Sequence, residues 1–265
     1  MDPFQAIAMG VLQGATEFLP ISSSGHLVLI PHLLGWPIPS VTFDALVHWG
    51  TLAAVVAFFR KELKSIAKAW LRSITAGERT YTAYLGWLIL LGTIPAVMAG
   101  LLLEDFFEGL FSSPRSVSVA LMVTALLLVV AELSIKPRKR LERLSWTDAL
   151  LIGLFQALAI TPGISRSGST IAAGVFAGLD REGAARFSFL LSVPVILGAG
   201  FKELLDISFA GGWKSQWFIL FLGFVGALVS GYASIAFLIS FVRRRRFYVF
   251  AFYCLALGFL GLLYS

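Results

Sequence analysis

Two polar, turn-forming stretches interrupt apolar parts of the chain, and both carry side chains that can do chemistry. The first, residues 17–26, contains a carboxylate, three consecutive hydroxyls and an imidazole. The second, residues 161–170, contains Arg166 among further hydroxyls. An ionisable group inside a membrane segment is expensive to bury and is therefore a candidate for function. Because a guanidinium binds phosphate oxygens in a bidentate manner, this set of groups predicts a site for phosphoryl chemistry.

Each polar stretch is suited to an anion, because serine and glycine at the start of a helix leave backbone N–H groups free. Gln13 and Glu17 are four residues apart and share a helix face. Neither stretch has the glycine-rich, lysine-containing shape of a nucleotide-binding loop. The residues expected to bind the substrate are Gln13, Ser22, Ser24, Gly25, Ser165, Ser167, Gly168 and Thr170.

The composition of the chain indicates that these stretches belong to a membrane protein. Of the 265 residues, 58% are hydrophobic and 14% are charged, whereas a soluble domain carries about 25% charged residues. A membrane-spanning helix needs roughly 20 apolar residues. Six runs approach or exceed that length: 41–59, 84–103, 116–134, 185–205, 217–242 and 247–264.

Two further apolar stretches, 4–34 and 146–179, contain the polar centres and do not fit a plain span. Irregular backbone survives at membrane depth where protein buries it or where it lines a wet cavity. We therefore predict two re-entrant helix hairpins, each returning to the side from which it enters. The expected fold is all-α: a polytopic integral membrane protein with six full spans and two re-entrant hairpins. Eight plain spans are the alternative.

The distribution of basic residues favours the hairpins. Four segments, 60–83, 135–146, 180–186 and 242–246, hold 17 of the 21 Lys and Arg residues, and the hairpin arrangement puts all four on one side. The positive-inside rule assigns that side to the cytoplasm. Eight plain spans would put 60–83 and 180–186 on opposite sides. Since the charge follows membrane topology, the net charge of +6 does not indicate a nucleic-acid partner.

The sequence around the first polar stretch resembles the sequence around the second. The letters GVLQ at 10–13 are similar to GLFQ at 153–156, and each glutamine is followed twelve residues later by a glycine, Gly25 or Gly168. We expect one membrane domain, 1–265, made of two inverted-topology repeat halves, 1–134 and 147–265. Their polar centres should meet near the midplane. A chance similarity of apolar segments is the alternative.

Polar residues elsewhere in the spans have weaker cases. Asp44 and His48 share a face of the 41–59 span and could support the site from a second layer, with Thr51 nearby. Glu132, near the end of its span, is expected to pair with a basic residue or to reach the interface. A purely structural role for Glu17, paired with His26 or Arg166, would still keep these three residues together.

The motifs resemble those of a known family. The string QGATEFLPISSSGH at 13–26 resembles the first signature of the undecaprenyl-diphosphatase family, the BacA-type bacitracin-resistance phosphatases. The string PGISRSG at 162–168 resembles the second signature. The segments 43–50, 92–95 and 187–194 also resemble family segments, in the expected order.

The resemblance implies a membrane hydrolase that removes the terminal phosphate of a C55 polyprenyl diphosphate, recycling the lipid carrier for cell-wall synthesis and conferring bacitracin resistance. It implies an inner-membrane protein whose site opens to the outer, periplasmic face. It also implies Mg²⁺ or Ca²⁺ as cofactor, with Glu17 as a ligand. Many members of the family carry glutamate where this chain carries Gln13, so the carboxylate pair tied to that cation is here reduced to one.

The family's catalytic residues fall on Glu17, Ser23, His26 and Arg166. The expected mechanism is attack by Ser23 on the terminal phosphorus, with His26 or Glu17 taking its proton. Attack by His26 itself, or by water, is the alternative. Two other functions fit the same residues: a flippase or transporter of prenyl phosphates, and a homologue that binds the lipid without turnover. A homodimer is compatible with the sequence, which does not decide the oligomeric state.

Overall fold

The computed structural model describes residues 1–103, 113–136, 139–210 and 217–264, with the side chains of 203–210 left out. The described part is helical, and its β-structure is limited to an isolated bridge between Lys139 and Leu179. A short 3₁₀ helix covers Leu141–Arg143. The α-helices are α1 (Pro3–Phe18), α2 (Ser23–Leu34), α3 (Val41–Phe58), α4 (Arg60–Thr75), α5 (Tyr81–Leu102), α6 (Pro114–Leu133), α7 (Trp146–Leu158), α8 (Arg166–Phe176), α9 (Arg181–Ala210), α10 (Trp217–Val242) and α11 (Tyr248–Leu263).

The predicted all-α membrane architecture is confirmed. Among the described residues, five helices are long and apolar enough to cross a bilayer: α3, α5, α6, α10 and the Arg181–Lys202 part of α9. They correspond to five of the six predicted spans. The sixth, α11, is apolar but only 16 residues long. At 1.5 Å per residue it covers about 24 Å, less than a hydrocarbon core of about 30 Å.

The chain forms a helix–turn–helix hairpin at both expected places, α1–α2 and α7–α8, and re-entry of each hairpin into the membrane stays a prediction. In the first hairpin, α2 returns towards the start of α1. The ring of Phe4, near the start of α1, lies 6.3 Å from the ring of Trp36, just beyond the end of α2. In the second, the N–H of Lys139 donates to the carbonyl of Gly178 just after α8, at 3.1 Å. The ammonium of Lys139 also pairs with Asp148 near the start of α7, at 2.8 Å. In each hairpin the start of the first helix therefore lies next to the end of the second helix.

Ion pairs join the basic segments at one end of the molecule. Arg186 pairs with Glu62 at 2.9 Å, and Arg243 pairs with Glu182 at 2.5 Å. Segments 60–83, 180–186 and 242–246 therefore lie on one side. Eight plain spans would put the first two of these segments on opposite sides, so the ion pair between Arg186 and Glu62 favours the hairpin arrangement, and the membrane topology stays a prediction.

Close helix contacts occur at corresponding positions of the proposed halves. A Cβ on Gly10 of α1 would lie 2.2 Å from the carbonyl oxygen of Gly223 on α10. A Cβ on Gly153 of α7 would lie 2.4 Å from the carbonyl oxygen of Gly92 on α5. Since Gly10 and Gly153 begin the two similar strings, the contacts agree with the repeat, whose boundaries stay a prediction.

Helix α4 was not expected, because its sequence is dense in Lys and Arg and resembles a loop between spans. It packs on α5 through Ile66, its one buried residue, and through Trp70, whose ring lies 5.6 Å from that of Trp87. One apolar edge on an otherwise exposed helix is typical of an amphipathic helix. The charged segment 60–83 is thus largely an ordered surface helix.

Candidate active site

The first polar stretch turns sharply between α1 and α2. Ser22 caps α2, and its hydroxyl accepts a hydrogen bond from the N–H of Gly25 at 3.2 Å. The φ angle of Ser22 is +68°, a conformation that no other non-glycine residue of the described chain adopts. It costs about 1 kcal/mol or more. The strained turn brings Ser23, the first residue of α2, towards the end of α1.

The second polar stretch repeats this construction between α7 and α8. Ser165 caps α8 and accepts from the N–H of Gly168 at 3.0 Å. Gly163 supplies a φ of +92° in the turn. The hydroxyl of Thr124 on α6 holds the turn in place, because it donates to the carbonyl of Gly163 at 3.1 Å and accepts from the N–H of Ser165 at 3.0 Å. Arg166 follows as the first residue of α8.

The two turns lie against each other. The N–H of Gly163 donates to the hydroxyl of Ser24 at 3.3 Å, and the hydroxyl of Ser167 donates to the carbonyl of Leu19 at 2.9 Å. A Cβ on Gly168 would lie 3.4 Å from Pro20. Both helix N-termini therefore open at one place, as expected for two centres that share an anion.

Glu17 lies at the centre of this arrangement. Its Oε2 accepts from Nε2 of Gln13 at 2.9 Å and from Oγ of Ser23 at 2.5 Å. Its Oε1 accepts from Nη2 of Arg166 at 2.5 Å. The side chains of Glu17 and Arg166 are only 6% and 14% exposed. The carboxylate of Glu17 thus binds a group that lies 149 positions away in the chain.

Two buried polar atoms next to Glu17 have no hydrogen-bond partner in the described part of the protein: Nη1 of Arg166 and Oε1 of Gln13. A buried donor or acceptor left without a partner costs about 1–3 kcal/mol, more when it is charged. One of the two is a cationic donor and the other is a neutral acceptor. A ligand with negatively charged oxygens would satisfy the guanidinium.

His26 is completely buried, and both of its ring nitrogens are engaged. Nδ1 bonds to the carbonyl of Ser22 at 2.7 Å, and Nε2 bonds to the hydroxyl of Tyr253 at 2.8 Å. Tyr253 was missed by the sequence analysis, because a tyrosine in the apolar helix α11 carries no local signal of a contact 227 residues away. Of the two proton acceptors expected for Ser23, the one in hydrogen-bonding contact is Glu17.

The remaining expected binding residues lie in the same shell. Hydroxyl pairs form within each turn, between Ser22 and Ser24 at 3.3 Å and between Ser165 and Ser167 at 3.2 Å. Thr170 instead points into the protein, where its hydroxyl lies 2.6 Å from that of Ser188. The amides of Gly25 and Gly168 are used by the capping serines.

The second-layer residues also lie near the site. His48 bonds through Nδ1 to the carbonyl of Asp44 at 2.8 Å, and both side chains interact electrostatically with Glu17. Thr51 donates to the carbonyl of His48 at 2.8 Å. Far from the site, Glu132 pairs with Arg181, as expected for a residue near the end of a span.

The donor set for a cation is small. In the part of the chain that the structure describes, no three His, Cys, Asp or Glu side chains converge as a metal site would require. Glu17 is already paired with Arg166, and the unpaired buried oxygens nearby are Oε1 of Gln13, next to Glu17, and Oδ1 of Asp44 in the second layer. Glu17 and Gln13 fit a cation that a phosphate group helps to hold, and do not fit a cage made of protein alone.

Comparison with known proteins points to one family. The family model described as "Bacitracin resistance protein BacA" matches residues 6–260. The chain is 45% identical to "Undecaprenyl-diphosphatase 2" of Stutzerimonas stutzeri (strain A1501) over 97% of its own length and 96% of the relative. It is also 45% identical to an undecaprenyl-diphosphatase of Nitrosococcus oceani, covering 97% of each chain. A relative of that name from Halothermothrix orenii is 43% identical, covering 97% of this chain and 96% of the relative. These names give no support to the transporter alternative.

Proposed function

The chain belongs to the bacitracin resistance protein BacA family, and on this premise we propose that it hydrolyses undecaprenyl diphosphate to undecaprenyl phosphate and inorganic phosphate. The relatives described above are named for this activity, and the chain matches them over nearly their whole length. The active-site residues proposed here are Glu17, Ser23, His26 and Arg166.

The observation that carries the proposal is the unpaired Nη1 of Arg166 beside the Glu17–Ser23 hydrogen bond. A guanidinium with one nitrogen on a carboxylate and the other free can bind a phosphate oxygen while it stays anchored. The N-termini of α2 and α8 add two helix dipoles directed at the same place. Together these groups would neutralise the charge that develops on the terminal phosphoryl group.

Ser23 is the nucleophile that the geometry supports best. Its Oγ would attack the terminal phosphorus while its proton passes to Oε2 of Glu17, 2.5 Å away. The bond from that phosphorus to the bridging oxygen breaks, and undecaprenyl phosphate leaves with the bonding electrons. Arg166, drawn towards the bound diphosphate, would pair less strongly with Glu17, and the carboxylate would be free to accept the proton.

Hydrolysis of the phosphoserine completes the cycle. A water molecule would attack the phosphorus while the bond from phosphorus to the Ser23 oxygen breaks. That oxygen would take back a proton from Glu17, and both hydrogens of the water would leave on the phosphate as dihydrogen phosphate. The roles of the carboxylate in the two steps are the reverse of each other. His26, bonded on both sides, supports the turn in this scheme and does not exchange protons with Ser23.

A divalent cation fits this site only if protein oxygens and phosphate oxygens coordinate it together. Glu17 and Oε1 of Gln13 would hold Mg²⁺ or Ca²⁺ together with phosphate oxygens, and the cation would supply additional charge neutralisation there.

The location that we propose follows the family and the charge pattern. The protein lies in the inner membrane, the basic segments face the cytoplasm, and the site opens to the outer, periplasmic face. There it would regenerate the lipid carrier for cell-wall synthesis and confer resistance to bacitracin. Whether two copies associate as a homodimer stays a prediction.

The proposal is tested with purified protein in detergent, supplied with undecaprenyl diphosphate and no ion gradient. We expect phosphate release from the wild type and a loss of about 100-fold or more in Arg166→Ala and Glu17→Gln. The matched control is Arg72→Ala, which removes an exposed arginine of the surface helix α4 and should keep full activity. Binding of the lipid without phosphate release, or full activity in Arg166→Ala, would contradict the proposal.

A further inference from the structure

His26 is held by a residue outside both sequence motifs. Tyr253, on α11, places its hydroxyl 2.8 Å from Nε2 of His26. The two rings are parallel to within 2°, with centroids 5.5 Å apart. His26 is completely buried, whereas Tyr253 is 42% exposed on the outer face of α11. The tyrosine therefore covers the histidine and bonds to it at the same time.

The hydrogen bonds of His26 define which ring nitrogen carries the hydrogen. A carbonyl oxygen can only accept, so Nδ1 must carry the hydrogen in the 2.7 Å bond to Ser22. In the neutral ring Nε2 then offers a lone pair, and the O–H of Tyr253 is the donor. The two bonds, made at opposite edges of the ring, fix both its tautomer and its plane.

The restraint continues from His26 to the reacting serine. The Ser22 carbonyl that accepts from His26 belongs to the residue with a φ of +68°. Ser23 follows directly, with its Oγ 2.5 Å from Glu17. If the ring of His26 rotated, Ser22 would lose a hydrogen bond that stabilises its left-handed conformation, and Ser23 would move relative to Glu17.

We propose that Tyr253 is a positioning residue of this active site: through His26 it holds the Ser22 turn in the conformation that aligns Ser23 with Glu17. The inference rests on the proposed function, since it names a further residue of the same reaction. Tyr253 acts through the histidine and has no contact with the reacting atoms.

The first test is Tyr253→Phe, which removes the hydroxyl and keeps the ring. We expect kcat to fall about tenfold, the factor that one neutral hydrogen bond is worth, with KM changed less than about twofold because phosphate-binding groups are untouched. The matched control is Tyr248→Phe on the same helix, where the tyrosine lines an apolar groove. It should keep the wild-type kcat. A Tyr253→Phe enzyme with wild-type kcat would overturn the inference.

A double-mutant cycle separates positioning from a general effect on folding. Tyr253→Phe should cause no further loss of kcat in a His26→Ala background, because the residue through which it acts is gone. If the losses multiply, Tyr253 acts by another route and the inference fails.

Nitrogen NMR provides a readout that does not depend on turnover. The chain has three histidines, so ¹⁵N-labelled imidazoles give few signals. His26 and His48 both bond to a backbone carbonyl through Nδ1, so two neutral rings should carry the hydrogen on Nδ1. We expect the Nε2 shift of one of them, His26, to change in Tyr253→Phe, and neither shift to change in Tyr248→Phe. An unchanged shift would overturn the inference even in an active enzyme. A wild type without phosphate release would instead overturn the proposed function, while the NMR result still tests the contact.

Discussion

At the scale of single residues, Gln13 determines the charge balance of the site. Its Nε2 donates to Glu17 at 2.9 Å, which leaves its own carbonyl oxygen without a partner among the described residues. With an amide at this position, the central ion pair joins one negative charge, on Glu17, to one positive charge, on Arg166, while the side chains of Asp44 and His48 interact with Glu17 from outside that pair. A carboxylate at position 13 would add a second negative charge at hydrogen-bonding distance, and two carboxylates that close repel each other.

We therefore expect Gln13→Glu to make the protein dependent on a divalent cation for stability. In detergent with a chelator its Tm should fall below that of the wild type, and Mg²⁺ should restore it because the ion relieves the repulsion. Thermal unfolding of both proteins, with EDTA and with Mg²⁺, measures this. The wild-type Tm should change little between the two conditions.

Gln156→Glu is the matched control for this substitution. Gln156 ends the similar string GLFQ at 153–156 as Gln13 ends GVLQ at 10–13. It is 1% exposed and donates to the carbonyl of Gly92 at 3.4 Å. A carboxylate there would be buried away from Glu17, so the variant should be destabilised equally with and without Mg²⁺. Rescue of both variants, or of neither, would contradict the role assigned to Gln13.

The sequence predicted most of the site because its residues lie in two short polar strings within apolar segments. Glu17, Ser23 and Arg166 meet as expected. Tyr253 and Thr124 could not be found this way, since each is one polar residue on an apolar helix and its partner lies far along the chain. Thr170 shows the opposite case: it belongs to the second string, but on the helix it faces Ser188.

At the scale of helices, glycines set how closely α1 and α10 approach. Gly10→Ala would place a methyl group 2.2 Å from the backbone of Gly223, where backbone must move. Such overpacking costs about 1–3 kcal/mol, so we expect a lower Tm in detergent. Gly198→Ala on α9 is the control, because a Cβ there has nothing within 4 Å and alanine favours the helix. An equal effect of both substitutions would show that the close approach is not responsible.

The sequence predicted a helix correctly where it showed a long apolar run, or an apolar stretch interrupted by a polar centre. Both hairpins were expected from the polar centres at 17–26 and 161–170. Helix α4 was missed because amphipathic helices at a surface are rich in Lys and Arg, and the length criterion for spans excludes them. The apolar run 247–264 was predicted as a full span, and the helix within it, α11, is 16 residues long, so whether it crosses the bilayer by itself stays a prediction.

At the scale of the whole molecule, charge pairs define one end of the protein. Glu132 on α6 accepts from the backbone N–H of Phe247 at 3.1 Å and also pairs with Arg181. The 20 residues of α6 rise about 30 Å, so Arg115 at its start lies at the opposite end. The four arginines at 243–246 and Arg115 therefore mark the two ends of the molecule.

This separation predicts the orientation in the cell. The positive-inside rule puts 243–246 in the cytoplasm and Arg115 outside. The test uses a Cys254→Ala background, in which the one native cysteine is removed, and adds Arg115→Cys or Arg244→Cys. In spheroplasts a membrane-impermeant maleimide should label the Arg115→Cys protein, whereas the Arg244→Cys protein should react only after permeabilisation. Labelling of both in intact spheroplasts would mean that α6 does not cross the membrane, and the reverse pattern would place the basic end outside.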